Sequence, residues 1–390
     1  MVIVEMFFAM RLRHFNMKHE PRARWRAYQN ISYDFRLILP MLILIGIGLL
    51  MIYSATSTIA LNRYHNDAYY LIKQTIWAGI GLICMVIARK IPYDMDRFWV
   101  YALILLALLL LIAVKFTPFG ASAGGATRWF KIGWLKFQPS ELARFSMVIF
   151  LACSLSRKAD QAQSFWIGFL PHVIMLGIFA GLILLQPDFG SAAILCLLTW
   201  IIMFLGGVRL SHLMLPLIVV IPVGIRYMIS ASYRMDRIKA FFDPWAFASS
   251  YGYQPTHSQM AFGTGGMFGT GIGNSFQKLY YLPEPHTDFI LSVAGEELGL
   301  IGILFILAMY AAIIWNGISI ALNAPDRRGA LLAAGLTAAI AIQVFINMGV
   351  ALCLFPTKGL PLPFMSYGGT SLLFSMAGIG ILINIATTRR

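Results

Sequence analysis

Long runs of apolar residues, separated by short polar stretches, make up most of the chain. Read with a window of about 20 residues, the length at which a helix crosses a bilayer, these runs predict about ten helices. They lie near 37–57, 71–88, 98–115, 140–155, 166–185, 190–206, 213–230, 287–316, 330–352 and 368–386. Backbone groups inside a bilayer must be hydrogen-bonded within the protein, so such runs predict transmembrane helices. The expected fold class is an all-α polytopic membrane protein.

The basic residues between the runs predict how the chain is oriented. Residues 1–36 carry Arg11, Arg13, Lys18, Arg22, Arg24, Arg26 and Arg36. Lysine and arginine near a first helix are retained on the cytoplasmic side. The segment 1–36 is therefore expected in the cytoplasm, and an even number of helices returns the C-terminus there. Residues 37–390 are predicted to form one membrane domain.

Two segments of the predicted outer face are too long to be simple turns. They span about 116–139 and about 231–286, and connections of this length in a compact protein are usually functional or disordered. The first mixes aromatic and basic residues around Trp129–Lys131, a pattern suited to the headgroup layer. The second carries charged residues followed by glycines between Gly263 and Gly273. Both are predicted to be extracytoplasmic loops.

Composition agrees with a membrane protein. The chain is 59% hydrophobic and 12% charged with a mean hydropathy of +0.75, whereas soluble domains carry about 25% charged residues. A net charge of +14 indicates contact with anionic lipid or an anionic substrate, and no nucleic acid partner is expected. The four cysteines lie apart without metal-site spacing. We find no cleavable signal peptide pattern, so the first helix is expected to be an uncleaved anchor.

Acidic residues are scarce, yet several cluster in PEPHTDFILSVAGEELG at 283–299. Carboxylates in or near membrane helices are costly and are usually functional. Asp288 is the preferred candidate among them, as a carboxylate that either holds a ligand or takes part in chemistry. The alternative is that Asp288 caps the helix that follows.

The neighbours of Asp288 have less direct expected roles. Glu296 and Glu297 lie about two turns further along, where we expect them to be structural or gating residues paired with a donor. His286 either relays a proton or caps the helix start. Asp188, between two apolar runs, is expected to close a turn or cap the next helix.

A further charged pair lies at the start of the fourth run. Glu141 and Arg144 are three residues apart, a spacing at which opposite charges meet on one helical face. They either neutralise each other so that both can be buried, or line a substrate-binding cavity.

Four motifs together resemble one protein family. PEPHTDFILSVAGEELG, QPSEL at 138–142, QPDFG at 186–190 and KGLPLPFMSYGGTS at 358–371 are similar, in content and order, to the SEDS family of bacterial cell-wall proteins, which includes RodA, FtsW and SpoVE. The resemblance covers nearly the whole chain from Leu37. KLYYLPEPHTDF and TKGLPLPFMSYGG are more similar to the FtsW members. Arg144 departs from the lysine that is common in the family, and its guanidinium differs in geometry from an ammonium.

The resemblance implies a peptidoglycan glycosyltransferase that polymerises lipid II on the outer face of the cytoplasmic membrane, with Asp288 catalytic. Such a reaction also needs cations for the departing pyrophosphate. Arg128 and Lys358 match family motifs and are the preferred cations, with Lys278 and Arg234 as further candidates; the alternative is contact with lipid phosphates. Ser366 either shapes its loop or contacts substrate.

The resemblance also implies partners and a location. These are a class B penicillin-binding protein, other proteins of the division complex, membrane lipid, and the bacterial inner membrane at the septum. A divalent cation, Mg²⁺ or Mn²⁺, can assist pyrophosphate departure, and no other cofactor is expected. Three alternatives stay open: a lipid II flippase, a RodA-like polymerase for elongation, and a non-catalytic division scaffold.

Overall fold

The structure is a computed structural model that describes most of the chain. The described residues are 31–118, 120–123, 126–132, 135–216, 218, 222, 224–226, 229, 232–278, 285–356 and 359–388. Most of the basic segment 1–36 lies outside them.

Helices dominate the described residues. They are α1 (Ile31–Tyr64), α2 (Tyr69–Lys90), α3 (Arg97–Phe116), α4 (Pro139–Arg157), α5 (Leu170–Leu185), α6 (Phe189–Leu205), α7 (Leu210–Met214), α8 (Ser232–Phe242), α9 (Tyr253–Gly265), α10 (Ile290–Leu322), α11 (Arg327–Ala351) and α12 (Gly369–Thr387). A π-helical turn, Phe165–Phe169, leads directly into α5. Within the described ranges, seven helices are long and apolar enough to cross a membrane: α1, α2, α3, the π turn with α5, α10, α11 and α12.

The predicted apolar runs coincide with helices, with one exception. Much of 213–230 lies outside the described residues. The helix α6 is apolar but only 17 residues long, and α4 carries Glu141, Arg144 and Arg157 along its 19 residues. The structure is therefore a mainly helical, multi-pass membrane protein.

The first long outer segment is not a simple loop, which corrects the all-α prediction. It contains an antiparallel three-stranded sheet in the order β1 (Gly120–Ala123), β2 (Ala126–Ile132) and β3 (Leu135–Phe137). Side chains alternate between the two faces of a strand, so Phe130 is buried while the adjacent Lys131 is exposed. The alternation of aromatic and basic residues, which predicted a segment in the headgroup layer, therefore also follows the two-residue period of a strand.

The second long outer segment contains helices as well as loop. Helices α8 and α9 lie within it, and the residues from Gly266 to Lys278, here called the glycine loop, follow α9. Gly269 and Gly271 have positive φ angles of 81° and 95°, and a side chain at Gly269 would overlap the Glu297 carbonyl. The glycines therefore allow the glycine loop to lie directly against α10.

Helix α10 is interrupted near its start. Gly299 has a φ of 66° and a ψ of −169°, a conformation that only glycine adopts without strain. The Leu300 and Ile301 amides donate to carbonyls of the glycine loop, Gly266 O at 2.9 Å and Met267 O at 3.2 Å. The break therefore joins α10 to the glycine loop and separates a short first segment from the long apolar part.

The C-terminal helix α12 packs most closely on α2. Membrane helices approach each other through small residues, because lipid provides no hydrophobic force between them. Gly380 of α12 lies against Met85 of α2, and a Cβ atom there would overlap the Met85 carbonyl oxygen. At the same end of the bundle, Asn384 of α12 accepts a hydrogen bond from the Tyr93 amide at 3.3 Å.

This close approach generates a prediction. Gly380→Ala should reduce the stability of the protein by about 1–3 kcal/mol, because the backbone of α2 must move. The matched control is Gly79→Ala in α2, where a Cβ meets nothing within 4 Å and where the change should be neutral or stabilising by about 0.4–1 kcal/mol. Thermal unfolding in detergent, followed by tryptophan fluorescence, measures both; equal melting temperatures for the two variants would refute the packing argument.

Candidate functional site

Asp288 lies in the short segment Pro285–Phe289 that precedes α10. The Asn347 side chain of α11, 1% exposed, donates from Nδ2 to the Asp288 carbonyl at 3.0 Å and to the Leu360 carbonyl at 2.7 Å. A Cβ atom at Gly359 would lie 2.7 Å from Asp288 Oδ2. The carboxylate therefore lies directly against the loop 359–368, and any side chain at position 359 would displace it.

The loop 359–368 is held by several polar contacts. The Tyr367 amide donates to the His286 carbonyl at 2.9 Å. Gln74 of α2, 2% exposed, donates to the Ser366 carbonyl at 3.1 Å and accepts from the Gly368 amide at 3.3 Å. One end of the bundle thus brings together α2, α11, the segment before α10 and this loop, which we call the Asp288 site.

Two expected capping roles are not observed. The N-cap of α10 is Phe289, and no side chain caps it, so the alternative of Asp288 as the helix cap is wrong. His286 is 7% exposed and packs between the rings of Tyr70 and Tyr367, with centroid distances of 4.9 and 5.4 Å. Its environment is aromatic, not that of a helix cap.

Ser366 shapes its loop. Its Oγ accepts a hydrogen bond from the Leu362 amide at 2.8 Å, and the residue is 3% exposed. The hydroxyl closes a turn within the loop and is shielded from solvent.

Glu296 binds the backbone of the glycine loop. Its carboxylate accepts hydrogen bonds from the Phe276 amide at 3.0 Å, the Gln277 amide at 3.3 Å and the Ser275 hydroxyl. The residue is fully buried, and a buried carboxylate needs such donors to offset its loss of hydration. The predicted structural contacts of Glu296 are present.

Glu297 forms a buried ion pair with Lys278 at 2.9 Å. Lys278 Nζ also donates to Ser54 Oγ of α1 at 2.9 Å and to the Gly273 carbonyl at 2.6 Å. An ammonium has three donors, and these three acceptors use all of them. Lys278 is therefore buried, whereas the sequence predicted that it lies on the outer surface. Its ammonium holds the glycine loop between α1 and α10 and does not face a pyrophosphate.

Glu141 and Arg144 form the ion pair that their spacing predicted. Both also line a small, partly open cavity between α4, α11 and α12, together with Gln343 and Ser375. Gln343 is 2% exposed, and its Nε2 has no protein partner. The predicted neutralising pair is confirmed, and the pair also borders this cavity.

Arg128 and Asp188 meet where the three-stranded sheet lies against the turn before α6. Arg128 of β2 donates to the Gln186 carbonyl at 3.4 Å and the Pro187 carbonyl at 2.5 Å, and lies 3.9 Å from Asp188. Asp188 is the N-cap of α6, accepting from the amide and hydroxyl of Ser191 at 3.3 and 2.7 Å. The capping prediction for Asp188 is confirmed, and Arg128 ties the sheet to the turn before α6.

Two expected cations cannot be placed. Lys358 lies outside the described residues, and Arg234 belongs to α8 with its side chain outside the description. Across the described ranges, no three histidine, cysteine, aspartate or glutamate side chains form a group that could hold a metal ion.

Sequence reasoning missed several residues of the site. Gln74 and Asn347 are polar residues within apolar runs, and the rule that singled out the glutamates could have found them. Gly359 and Ser54 carry no local signal, because their importance depends on which distant segment lies against them.

The buried ion pair generates a prediction. Lys278→Met leaves the Glu297 carboxylate buried without its cation and should destabilise the protein by about 3–5 kcal/mol, whereas adding Glu297→Leu should recover much of the loss. The control is Lys239→Met, which breaks the exposed pair with Asp236 at 3.7 Å and should cost only about 0–1 kcal/mol. Thermal unfolding of the four proteins tests this, and a double variant less stable than Lys278→Met would contradict it.

Similarity to known proteins extends along most of the chain. The family model of cell cycle proteins that groups FtsW, RodA and SpoVE matches residues 35–390. The chain is 40% identical over 361 residues to the probable peptidoglycan glycosyltransferase FtsW of Trichlorobacter lovleyi, covering 93% of this chain and 95% of that protein.

Two solved structures are similar in fold. One is a chain from a structure described as "Structural coordination of polymerization and crosslinking by a peptidoglycan synthase complex". Its TM-score is 0.72, and it is 28% identical over 91% of this chain and 98% of the other. The other is the rod shape determining protein RodA of Thermus thermophilus, with a TM-score of 0.67 and 27% identity over 91% and 97% of the two chains. The agreement of sequence and fold leads to one conclusion: the chain belongs to the FtsW, RodA and SpoVE family of cell cycle proteins.

Proposed function

We propose that this chain is a peptidoglycan glycosyltransferase that polymerises lipid II on the outer face of the cytoplasmic membrane during septal wall synthesis. The observation that carries the proposal is the position of Asp288, whose carboxylate lies against Gly359 at one end of the helix bundle. Relatives named as peptidoglycan glycosyltransferase FtsW support the reaction class.

Asp288 is the general base of the proposed reaction. It accepts the proton of the acceptor 4-hydroxyl as that oxygen bonds to the anomeric carbon of the donor sugar, and the electron pair of the broken bond leaves with the polyprenyl pyrophosphate. Asn347 fixes the backbone of Asp288 relative to the loop 359–368. Such fixed positioning lowers the entropy cost of aligning base and hydroxyl.

Arg128, Lys358 and Arg234 are the proposed cations for the pyrophosphate. Arg128 is about one third exposed, and its five N–H donors exceed the carbonyl contacts that it makes. Lys358 directly precedes Gly359 in the sequence, the residue against which the Asp288 carboxylate lies. His286 and the cavity bordered by Glu141 and Arg144 are proposed to contact other parts of the substrate.

Mg²⁺ or Mn²⁺ would enter together with the pyrophosphate of the substrate.

The proposal includes ten transmembrane helices, with both termini in the cytoplasm and the Asp288 site outside. The basic loops predict this orientation. A class B penicillin-binding protein is the proposed partner, alongside other division proteins at the septum, and the similarity to a chain from a peptidoglycan synthase complex supports it.

Asp288→Asn tests the proposed base. This variant should lose polymerisation of lipid II by at least a hundredfold while its thermal stability stays unchanged, because an amide cannot accept the proton. The control Asp236→Asn alters an outer carboxylate on α8 that pairs only with Lys239 among the described ion pairs, and it should keep full activity. Gel analysis of polymer made with the cognate class B partner measures both.

The outcomes separate the alternatives. Full activity of Asp288→Asn would move the base to another residue. If the unmodified, folded complex makes no polymer, the glycosyltransferase proposal fails, and the transport and scaffold alternatives are favoured.

The ion pair at the cavity provides a second test. Glu141→Gln and Arg144→Gln should each lower polymerisation at least tenfold, because each leaves a charge in the cavity without its partner. The double variant should be no worse than the poorer single variant, a coupling of about 0.5–3 kcal/mol. A double-mutant cycle on initial rates decides this, and simple multiplication of the two losses would show that the residues act independently.

A further inference from the structure

A row of aromatic rings leads from the outer surface of the bundle to the Asp288 site. Tyr64 at the end of α1 stacks on Tyr69 at the start of α2, with centroids 3.8 Å apart and planes at 14°. Tyr69 meets Tyr70 edge to face at 5.4 Å. Tyr70 in turn contacts His286 at 4.9 Å and Tyr367 at 5.3 Å. These five side chains are here called the ring row.

The turn that carries the first rings is rigid. Asn66 Oδ1 accepts from the Ala68 amide at 3.0 Å, and the Tyr53 hydroxyl donates to Asp67 at 2.9 Å. His65 adopts a positive φ of 53°, which reverses the chain tightly between the two helices. The stacked pair of Tyr64 and Tyr69 is therefore preorganised, and a ligand that binds it loses little entropy in ordering the protein.

The far end of the ring row belongs to the Asp288 site. His286 lies two residues before Asp288, and its carbonyl accepts the Tyr367 amide at 2.9 Å. Tyr367 is followed by Gly368, whose amide donates to Gln74 of α2. The contacts that hold the loop 359–368 against α2 and against the segment before α10 therefore also position the inner rings.

Cations flank the outer end of the ring row. Lys73 Nζ lies 2.5 Å from the Tyr69 hydroxyl and 4.2 Å from the centre of its ring. The Arg63 guanidinium lies 5.7 Å from the centre of the Tyr64 ring. Tyrosine rings combine an apolar face with a polar hydroxyl, a combination that suits the C–H face and the hydroxyl groups of a pyranose. Flanking positive charge suits a glycan that carries a pyrophosphate at one end.

We propose that the ring row binds pyranose rings of the glycan next to Asp288, with Tyr64 as its outermost stacking surface. This inference rests on the proposed glycosyltransferase function and assigns a sugar-binding surface to that same site. The competing explanation is a belt of tyrosines at the lipid headgroups, as is usual at membrane interfaces. Belt residues anchor the protein individually, whereas these rings contact one another in sequence and end at the segment that holds Asp288.

A binding experiment that does not depend on catalysis tests the inference. The full chain carrying Asp288→Asn is purified in nanodiscs and titrated with a soluble β-1,4-linked tetramer of N-acetylglucosamine, and binding is followed by saturation-transfer NMR. Tyr64→Leu in this background should weaken tetramer binding at least tenfold. Tyr64→Trp, which keeps an aromatic face, should retain binding within about threefold, since the stacking contact survives.

The control is Tyr251→Leu. Tyr251 is 40% exposed, against 38% for Tyr64, and it lies in the outer segment between α8 and α9, away from the ring row. In the same Asp288→Asn background, this variant should bind the tetramer as tightly as the Asp288→Asn protein itself. Equal binding by the Tyr64→Leu and Tyr251→Leu proteins would overturn the inference and favour the explanation of a tyrosine belt at the headgroups. The inference would also be overturned if the Asp288→Asn protein did not bind the tetramer at millimolar concentration.

A second readout separates this inference from the proposed function. In the chain with Asp288 intact, Tyr64→Leu should shorten the polymer made from lipid II and raise the KM for lipid II more than it lowers kcat. Polymer of unchanged length would contradict a glycan-binding role. If the unmodified chain binds the tetramer but makes no polymer, the glycosyltransferase proposal fails while the sugar-binding surface stands.

Discussion

The structure depends on contacts that offset the cost of burying charged side chains in a protein that is mostly apolar. Glu297 is 1% exposed, and its charge is tolerable only because Lys278 and Ser54 meet it. Unpaired charges at such depth cost several kcal/mol. The requirement joins α1, α10 and the glycine loop at one point, and the adjacent Glu296 joins the same loop through its backbone. Two neighbouring glutamates thus determine the path of the glycine loop against α10.

The same rule explains the architecture of the site. Gln74 and Asn347 are amides, which carry donors and an acceptor but no charge, and each connects two backbone segments that local structure cannot connect. Asn347 joins Asp288 to Leu360, and Gln74 joins α2 to the end of the loop 359–368. The backbone of Asp288 and the loop 359–368 are in this way held by side chains from α11 and α2.

Glycines complete this arrangement by allowing close approach. Gly299 breaks α10 with a positive φ, and Gly269 lies against it without a side chain. Gly359 leaves space for the Asp288 carboxylate. At each of these positions, the backbone of one segment lies against the backbone or a functional group of another. This close approach explains why the two long segments that are predicted to be outer are rich in glycine without forming a phosphate-binding motif.

The amino-acid sequence by itself determined the helices, the orientation signals, the pairing of Glu141 with Arg144 and the cap at Asp188, because these follow from hydrophobic length and from contacts within one or two turns. It also singled out Asp288 as the outstanding carboxylate. It did not predict the outer three-stranded sheet, although the alternation around Phe130 contains the signal. Only the tertiary structure decided that Lys278 is buried on Glu297, that Arg128 binds the turn before α6, and that Tyr64 connects through other rings to His286. Lys278 and Glu297 are 19 positions apart, and Arg128 and Gln186 are 58 positions apart. Such distant partners are chosen by how the helices pack, which no local pattern records.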